Sequence, residues 1–326
     1  MLISTQPASN ILNSPRLSLT GVSSTRVERR LNHITKEKRR IPAQSWDSHM
    51  HVVEPQRFPV SKTAVYQPSV HTLADALAFE TAIGVENLVL VQPSIYGTDN
   101  SCLLAALMRL GPSRGRGVVV VDPTTKPESE ILDEWHTLGV RGLRVNLQSV
   151  GKVMEPTELE ETLFQHAKIA RPRNWIIEIY LPLKMVPVLE SIVPRLGVTV
   201  CVDHFGSPDL SLPKGEDSVP FDPYTLPGFQ SLISLLQAGN TYIKVSAPYR
   251  LTNDTAQHQL KAMAREFLAA APDRTIYATD WPHTRFTGID INPFTEWCLD
   301  LCSDVPGLAE KLFRRNTERM LSVDSC

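Results

Sequence analysis

Residues 46–52 read "WDSHMHV". Asp47, His49 and His51 stand at alternate positions. Alternation is the period of a β-strand, in which residues i, i+2 and i+4 point to one face. On a helix the same three would splay apart. If 46–52 is a strand, a carboxylate and two imidazoles converge on one side of it. An H-x-H pair by itself also occurs in polar turns, so its meaning depends on what surrounds it.

What surrounds it is a rhythm. Short apolar runs recur at "NLVLVQP" (87–93), "GVVVVDP" (117–123), "GLRVNL" (142–147), "WIIEIYLP" (175–182), "VTVCVDHF" (198–205), "YIKVSAP" (242–248) and "TIYATDWP" (275–282). With 46–52 that makes eight. Near-continuous apolar runs, rather than strict alternation, mark parallel strands buried on both faces. The spacers are helical in character. "SVHTLADALAFETAIG" (69–84), "NSCLLAALMRLG" (100–111) and "PESEILDEWHTLG" (127–139) each end in glycine, which predicts left-handed C-caps. "DTAQHQLKAMAREFLAAAP" (254–272) and "GLAEKLFRRNTERMLS" (307–322) carry apolar residues at helical spacing. Five of the runs stop at an X-Pro pair, where proline cannot continue a central ladder.

Eight βα units predict an α/β fold, a (β/α)8 TIM-type barrel, as a single domain over residues 41–326. The rival is an open doubly wound sheet, but no Gly-rich dinucleotide loop follows the first run. The polar, proline-rich segment 207–228 reads as a lid over the barrel mouth.

Composition narrows the function classes. Hydrophobic residues make up 42% and charged residues 21% of the chain, as in a globular protein. No run reaches the length of a membrane span. Residues 1–40 hold eight Lys/Arg against two Asp/Glu, and the remainder carries a net charge of −8. An acidic body argues against nucleic acid as the partner. The basic N-terminal extension 1–40 has no Asp or Glu before Glu28. That suits a transit peptide, although Pro7 and Pro15 interrupt any amphipathic helix, and a basic tail fits equally. Five scattered cysteines without a CxxC pair indicate reduced thiols and an intracellular setting, cytoplasmic or mitochondrial.

In such barrels the chemistry gathers at the C-terminal ends of the strands. The first run offers His49 and His51 there, and the second Gln92, Ser94 and Tyr96. The third and fourth offer Asp122, Arg144 and Asn146. Then come Tyr180, Asp203 and His204, followed by Lys244, Ser246, Tyr249 and Arg250. The eighth offers Asp280 and His283. One histidine at a strand end is ordinarily a core residue. Three histidines and an aspartate at ends one, six and eight point to chemistry. Parity turns Asp203 away from the barrel centre if His204 faces it. Lys244 is left with two readings, a substrate carboxylate or Glu178. His33, His71, His136, His166 and His258 fall in the tail or the spacers and read as surface residues.

"DSHMHV", "VQPSIYGTDN", "GVRGLRVNL", "VDHFG" and "ATDWPHT" resemble the amidohydrolase superfamily, in its branch of sugar-lactone and pyrone lactonases. The resemblance spans residues 45 to about 322, essentially the whole predicted barrel. It implies that Asp280 is the general base that takes a proton from water. It implies that His49, His51 and His204 polarise a lactone carbonyl, by their own hydrogen bonds or by holding one divalent metal, Zn²⁺ or Mn²⁺, with Asp280. Both metal-free and metal-dependent members occur in the branch. A two-metal site needs a bridging lysine that the fifth run lacks. Tyr66, Ser94, Arg144, Tyr180 and Arg250 match positions that bind the substrate's ring and carboxylates. A salt bridge inside the barrel is the alternative for Arg144.

The departures from the pyrone-dicarboxylate lactonases matter as much. Val150 and Ser207 replace two arginines, and Arg285, a further candidate for binding substrate, replaces an asparagine. They imply a carboxylated lactone with fewer, or differently placed, carboxylates. The reaction is expected to carry over and the substrate to differ. A decarboxylase on the same residues is the second reading, and a binding protein the third. The number of subunits is left open.

Overall fold

The protein is represented by a computed structural model that describes residues 41–125, 127–211, 220–254 and 257–323. The basic extension 1–40 and its transit-peptide reading lie outside these residues. Eight strands form the centre: β1 (Trp46–Met50), β2 (Asn87–Val91), β3 (Gly115–Val119), β4 (Val140–Asn146), β5 (Ile176–Tyr180), β6 (Val200–Val202), β7 (Thr241–Val245) and β8 (Thr275–Tyr277). Each pairs in parallel with the next. The main helices between and after them are α1 (Leu73–Ile83), α2 (Ser101–Leu110), α3 (Ser129–Leu138), α4 (Pro156–Ala170), α5 (Val186–Leu196), α6 (Phe229–Gln237), α7 (His258–Ala270) and α8 (Asn292–Leu301). All eight expected strands are present, and most are shorter than their apolar runs. The tails of the runs leave the ladder and carry the polar residues.

The seam between β8 and β1 closes the (β/α)8 barrel, and it closes irregularly. The Asp280 amide donates to the His49 carbonyl at 2.9 Å, and the His51 amide to the Trp281 carbonyl at 2.8 Å. Ser48 Oγ donates to the Tyr277 carbonyl at 2.7 Å. The Asp47 carboxylate accepts the amides of His49 and Thr279, each at 3.0 Å, and the Thr279 hydroxyl. Alternation predicts Asp47 on the face of His49 and His51. The register of β1 on β2 shifts between Asp47 and Met50, so Asp47 serves the seam instead, beside Glu80 of α1.

Packing follows the residue types. Val, Ile and Leu side chains on the outer strand faces meet the apolar stripes of the helices in two buried clusters. A third, inside the barrel, joins Trp46, Val89, Val118, Ile176, Tyr242 and Ile276 to Met320 and Leu321 at the end of the last helix, Asn316–Met320. Gly117 lets α2 approach β3 closely, since a Cβ there would lie 2.6 Å from Leu107 Cδ1. Gly84 (φ 91) and Gly139 (φ 109) are left-handed C-caps as expected. Gly111 ends α2 with ψ 157 and is not one.

Several surface expectations need correction. His166 is buried, its Nδ1 paired with the Thr162 carbonyl at 2.8 Å one turn earlier in α4. His136 pairs with Trp175 Nε1 at 3.0 Å. Within the expected lid, residues 212–219 lie outside the described set. Its flanks are anchored by buried Leu210 and Leu226. Among the described residues no helix is long and apolar enough to cross a membrane.

Candidate active site

The seam that closes the barrel also builds the site. It places the backbone of His49 and His51, at the end of β1, against Asp280 just beyond β8. His204 follows β6 and joins them through a change of backbone conformation. His204 (φ 49) and Phe205 (φ 56) are left-handed. This turn breaks strand parity, so Asp203 and His204 both face the barrel interior. The expectation that Asp203 points away is therefore wrong.

The three imidazoles surround one carboxylate oxygen. Asp280 Oδ1 lies 3.3 Å from His51 Nε2, 3.7 Å from His49 Nε2 and 4.0 Å from His204 Nε2. The other oxygen, Oδ2, accepts Arg250 Nε at 2.5 Å and the Tyr249 hydroxyl at 2.6 Å. Each ring is oriented from behind. His51 Nδ1 donates to the Val91 carbonyl at 2.8 Å, and His204 Nδ1 meets Ser246 Oγ at 2.7 Å. His49 Nδ1 sits 3.0 Å from Lys244 Nζ, 3.3 Å from Asp203 and 3.4 Å from Glu178. Lys244 takes the second of its two readings: its ammonium donates to Glu178 at 2.5 Å and lies 3.2 Å from Asp203.

Burial and countercharge set the protonation states. Burial would raise the Asp280 carboxyl, but Arg250 and then the histidines outweigh it and hold it well below the usual carboxylate range. Burial likewise opposes ionisation of Asp203, and Lys244 and His49 overcome it, so its pKa is also depressed. Glu178 behaves oppositely: burial and the Asp203 charge push it up to about 7. Burial drives His49 well below the ordinary imidazole value, helped by Lys244, and takes His204 to about 4 against the pull of Asp280.

The donor set is compatible with a metal ion. His49 Nε2 is buried without a hydrogen-bond partner and faces Asp280. A carbonyl only accepts, so the His51 proton is on Nδ1 and the Nε2 lone pair faces the carboxylate. Two lone pairs 3.3 Å apart attract only with a proton or a cation between them. The ligand atoms of His49, His51 and Asp280 all lie within 4.8 Å of one another. Three imidazole nitrogens and one carboxylate oxygen suit a single divalent ion.

Above this cluster lies a cleft of about 330 Å³, counting its open side, lined by His51, Tyr66, Pro93, Ser94, Arg144, Ser149, Tyr180, His204, Arg250, Asp280, Thr284 and Arg285. All the residues expected to bind substrate are here: Tyr66, Ser94, Arg144, Tyr180, Arg250 and Arg285. Arg144 also shows its alternative role, with Nη1 on the Gln92 carbonyl at 2.7 Å and Nη2 3.6 Å from Asp203. Other expected residues are elsewhere. Asp122 is exposed and accepts from Thr124 in a turn. Tyr96 is buried against the Glu54 amide, and the Gln92 side chain binds loop carbonyls. Asn146 holds Ser149. Val150 and Ser207 do not line the cleft, whereas Ser149 does. The His283 ring packs between Phe79 and Tyr249 rather than on Asp280. Sequence reasoning missed Ser149 and Thr284, each next to a residue it singled out.

Residues 46–323 match the family model described as Amidohydrolase. The chain belongs to the amidohydrolase family. This amidohydrolase is 30% identical to the 2-pyrone-4,6-dicarboxylate hydrolase of Comamonas testosteroni over 76% of its length and 80% of the relative's. It is 27% identical to the 4-sulfomuconolactone hydrolase of Hydrogenophaga intermedia over 80% of its length and 82% of that protein's. Its fold matches an amidohydrolase from Burkholderia multivorans solved with bound zinc, at a TM-score of 0.68 and 17% identity, covering 86% of this chain and 100% of the other.

Proposed function

We propose that the protein is a lactonase: it opens a carboxylated cyclic ester by attack of water activated by Asp280. The observation that carries this reading is the asymmetry of Asp280. Arg250 and Tyr249 fix Oδ2, so Oδ1 is presented to the cleft among three imidazole nitrogens. An ionised carboxylate so held can take a proton from water without moving. The hydroxyl adds to the lactone carbonyl, the ring C–O bond breaks, and the leaving oxygen takes a proton. The product is an open-chain carboxylic acid. His49 and His204 stand where charge develops on the carbonyl oxygen, and His51, with its Nε2 lone pair on Asp280, acts there by holding a proton or a cation against that carboxylate. A divalent ion, Zn²⁺ or Mn²⁺, held by these histidines and Asp280 would supply Lewis-acid polarisation at the same point. Tyr66, Ser94, Arg144 and Tyr180 line the cleft and orient the ring. The two curated relatives, named as hydrolases of a pyrone and of a muconolactone, support the same bond type.

The test is acid release, followed with a pH indicator, across pyrones and sugar lactones. Turnover of a carboxylated lactone is expected. If none is opened, and carboxylated rings evolve CO₂ instead, the same cluster is a decarboxylase.

A further inference from the structure

Three arginines line the cleft, and they differ in what they have left to offer a substrate. Arg144 is committed to the Gln92 carbonyl and to Asp203, with Glu178 3.9 Å from its Nε. Arg250 is committed to Asp280, with Nη2 3.3 Å from Thr284 Oγ1. Arg285 is exposed, and its guanidinium lies over the Tyr66 ring at 5.3 Å. No carboxylate among the described residues pairs with it. Within the cleft, then, the positive charge that the protein does not itself neutralise sits at the mouth.

The backbone delivers it there. Asp280 (φ 62), His283 (φ 59) and Arg285 (φ 71) are all left-handed, in one short loop after β8. Non-glycine residues hold that conformation only where the surroundings enforce it, and such residues cluster at functional sites. The His283 amide on the Asp280 carbonyl and the Phe286 amide on the His283 carbonyl, both at 2.9 Å, lock the loop. The loop that presents the proposed base to the cleft floor thus also presents Arg285 to its rim. The Tyr66 ring face attracts the guanidinium, and its planar fork of N–H donors suits a carboxylate.

We infer that Arg285 is a specificity-determining residue that selects lactones bearing a single carboxylate, held at the cleft mouth while the ring carbonyl sits below against the histidines and Asp280. The inference rests on the lactone reading for its kinetic arm and on charge alone for its binding arm. Among the described residues, a second carboxylate would find no unpaired cation in the cleft.

The experiment compares 2-pyrone-6-carboxylate, its carboxamide and 2-pyrone-4,6-dicarboxylate on wild type, Arg285→Met and Arg285→Lys. Kinetics are read on these proteins, and binding is read by calorimetry on the Asp280→Asn background. Wild type should prefer the monocarboxylate to the carboxamide and gain nothing from the second carboxylate. Arg285→Met should raise KM and Kd for the monocarboxylate by about ten- to a hundredfold, with kcat changed far less. It should leave the carboxamide unaffected, and Arg285→Lys should recover part of the loss. Equal effects on acid and amide, no effect of Arg285→Met, or a strong preference for the dicarboxylate would each overturn the inference. Arg285-dependent binding of the acid without hydrolysis of any pyrone would sink the lactone reading and leave the inference standing.

Discussion

Asp280 is held between opposing forces. Burial disfavours its charge, and Arg250 is the first of the groups that outweigh this. The consequence is a pH dependence with a definite sign. Activity requires the ionised carboxylate and is lost as pH falls through its pKa. Wild type should therefore keep kcat/KM well into the acid range. In Arg250→Gln the effect of burial is less opposed and the pKa rises. The acid limb of the kcat/KM profile should then move to higher pH by about 1–3 units. An unmoved acid limb would show that Arg250 does not set the state of the base. At this scale the sequence was legible where side-chain chemistry alone decides. His49, His51, His204 and Asp280 stand out because few other reasons exist for such residues at strand ends. The partners were less legible. Nothing in the local sequence says that Lys244 meets Glu178 and Asp203 rather than substrate, because that depends on three strands converging.

Elements were legible through their apolar runs, and the errors lie where a strand stops being regular. Asp47 left the face of His49 because the register shifts inside β1. Asp203 turned inward because His204 adopts a left-handed backbone that alternation does not foresee. Both deviations occur where strands hand over to the site. The connections are equally constrained. Gly228 (φ 91) precedes α6 beside the turn after β5, and a Cβ there would meet the Leu183 carbonyl oxygen at 2.0 Å. A backbone atom cannot step aside as a side chain can. Gly228→Ala should lower stability by on the order of 3 kcal/mol, read from the guanidinium midpoint. An unchanged midpoint would mean that the α5–α6 side of the barrel is looser than the packing indicates.

For the whole molecule, closing the barrel and assembling the site are one event. The hydrogen bonds that join β1 to the end of β8 are those that bring His49 and His51 to Asp280. Every residue of the proposed machinery lies between His49 and Arg285, and the family match begins at residue 46. A chain starting at residue 41 should therefore fold with its own core and retain its kcat/KM on a carboxylated lactone. Loss of activity in a folded protein of that length would place part of the site in residues 1–40. The central claim is that Asp280 is the base in lactone opening. It is tested most directly by kcat for the preferred carboxylated lactone in wild type and Asp280→Asn, with circular dichroism confirming that both are folded. The account predicts a fall of about 10²–10⁴ in kcat for the variant. A folded Asp280→Asn protein that turns over at the wild-type rate would contradict it.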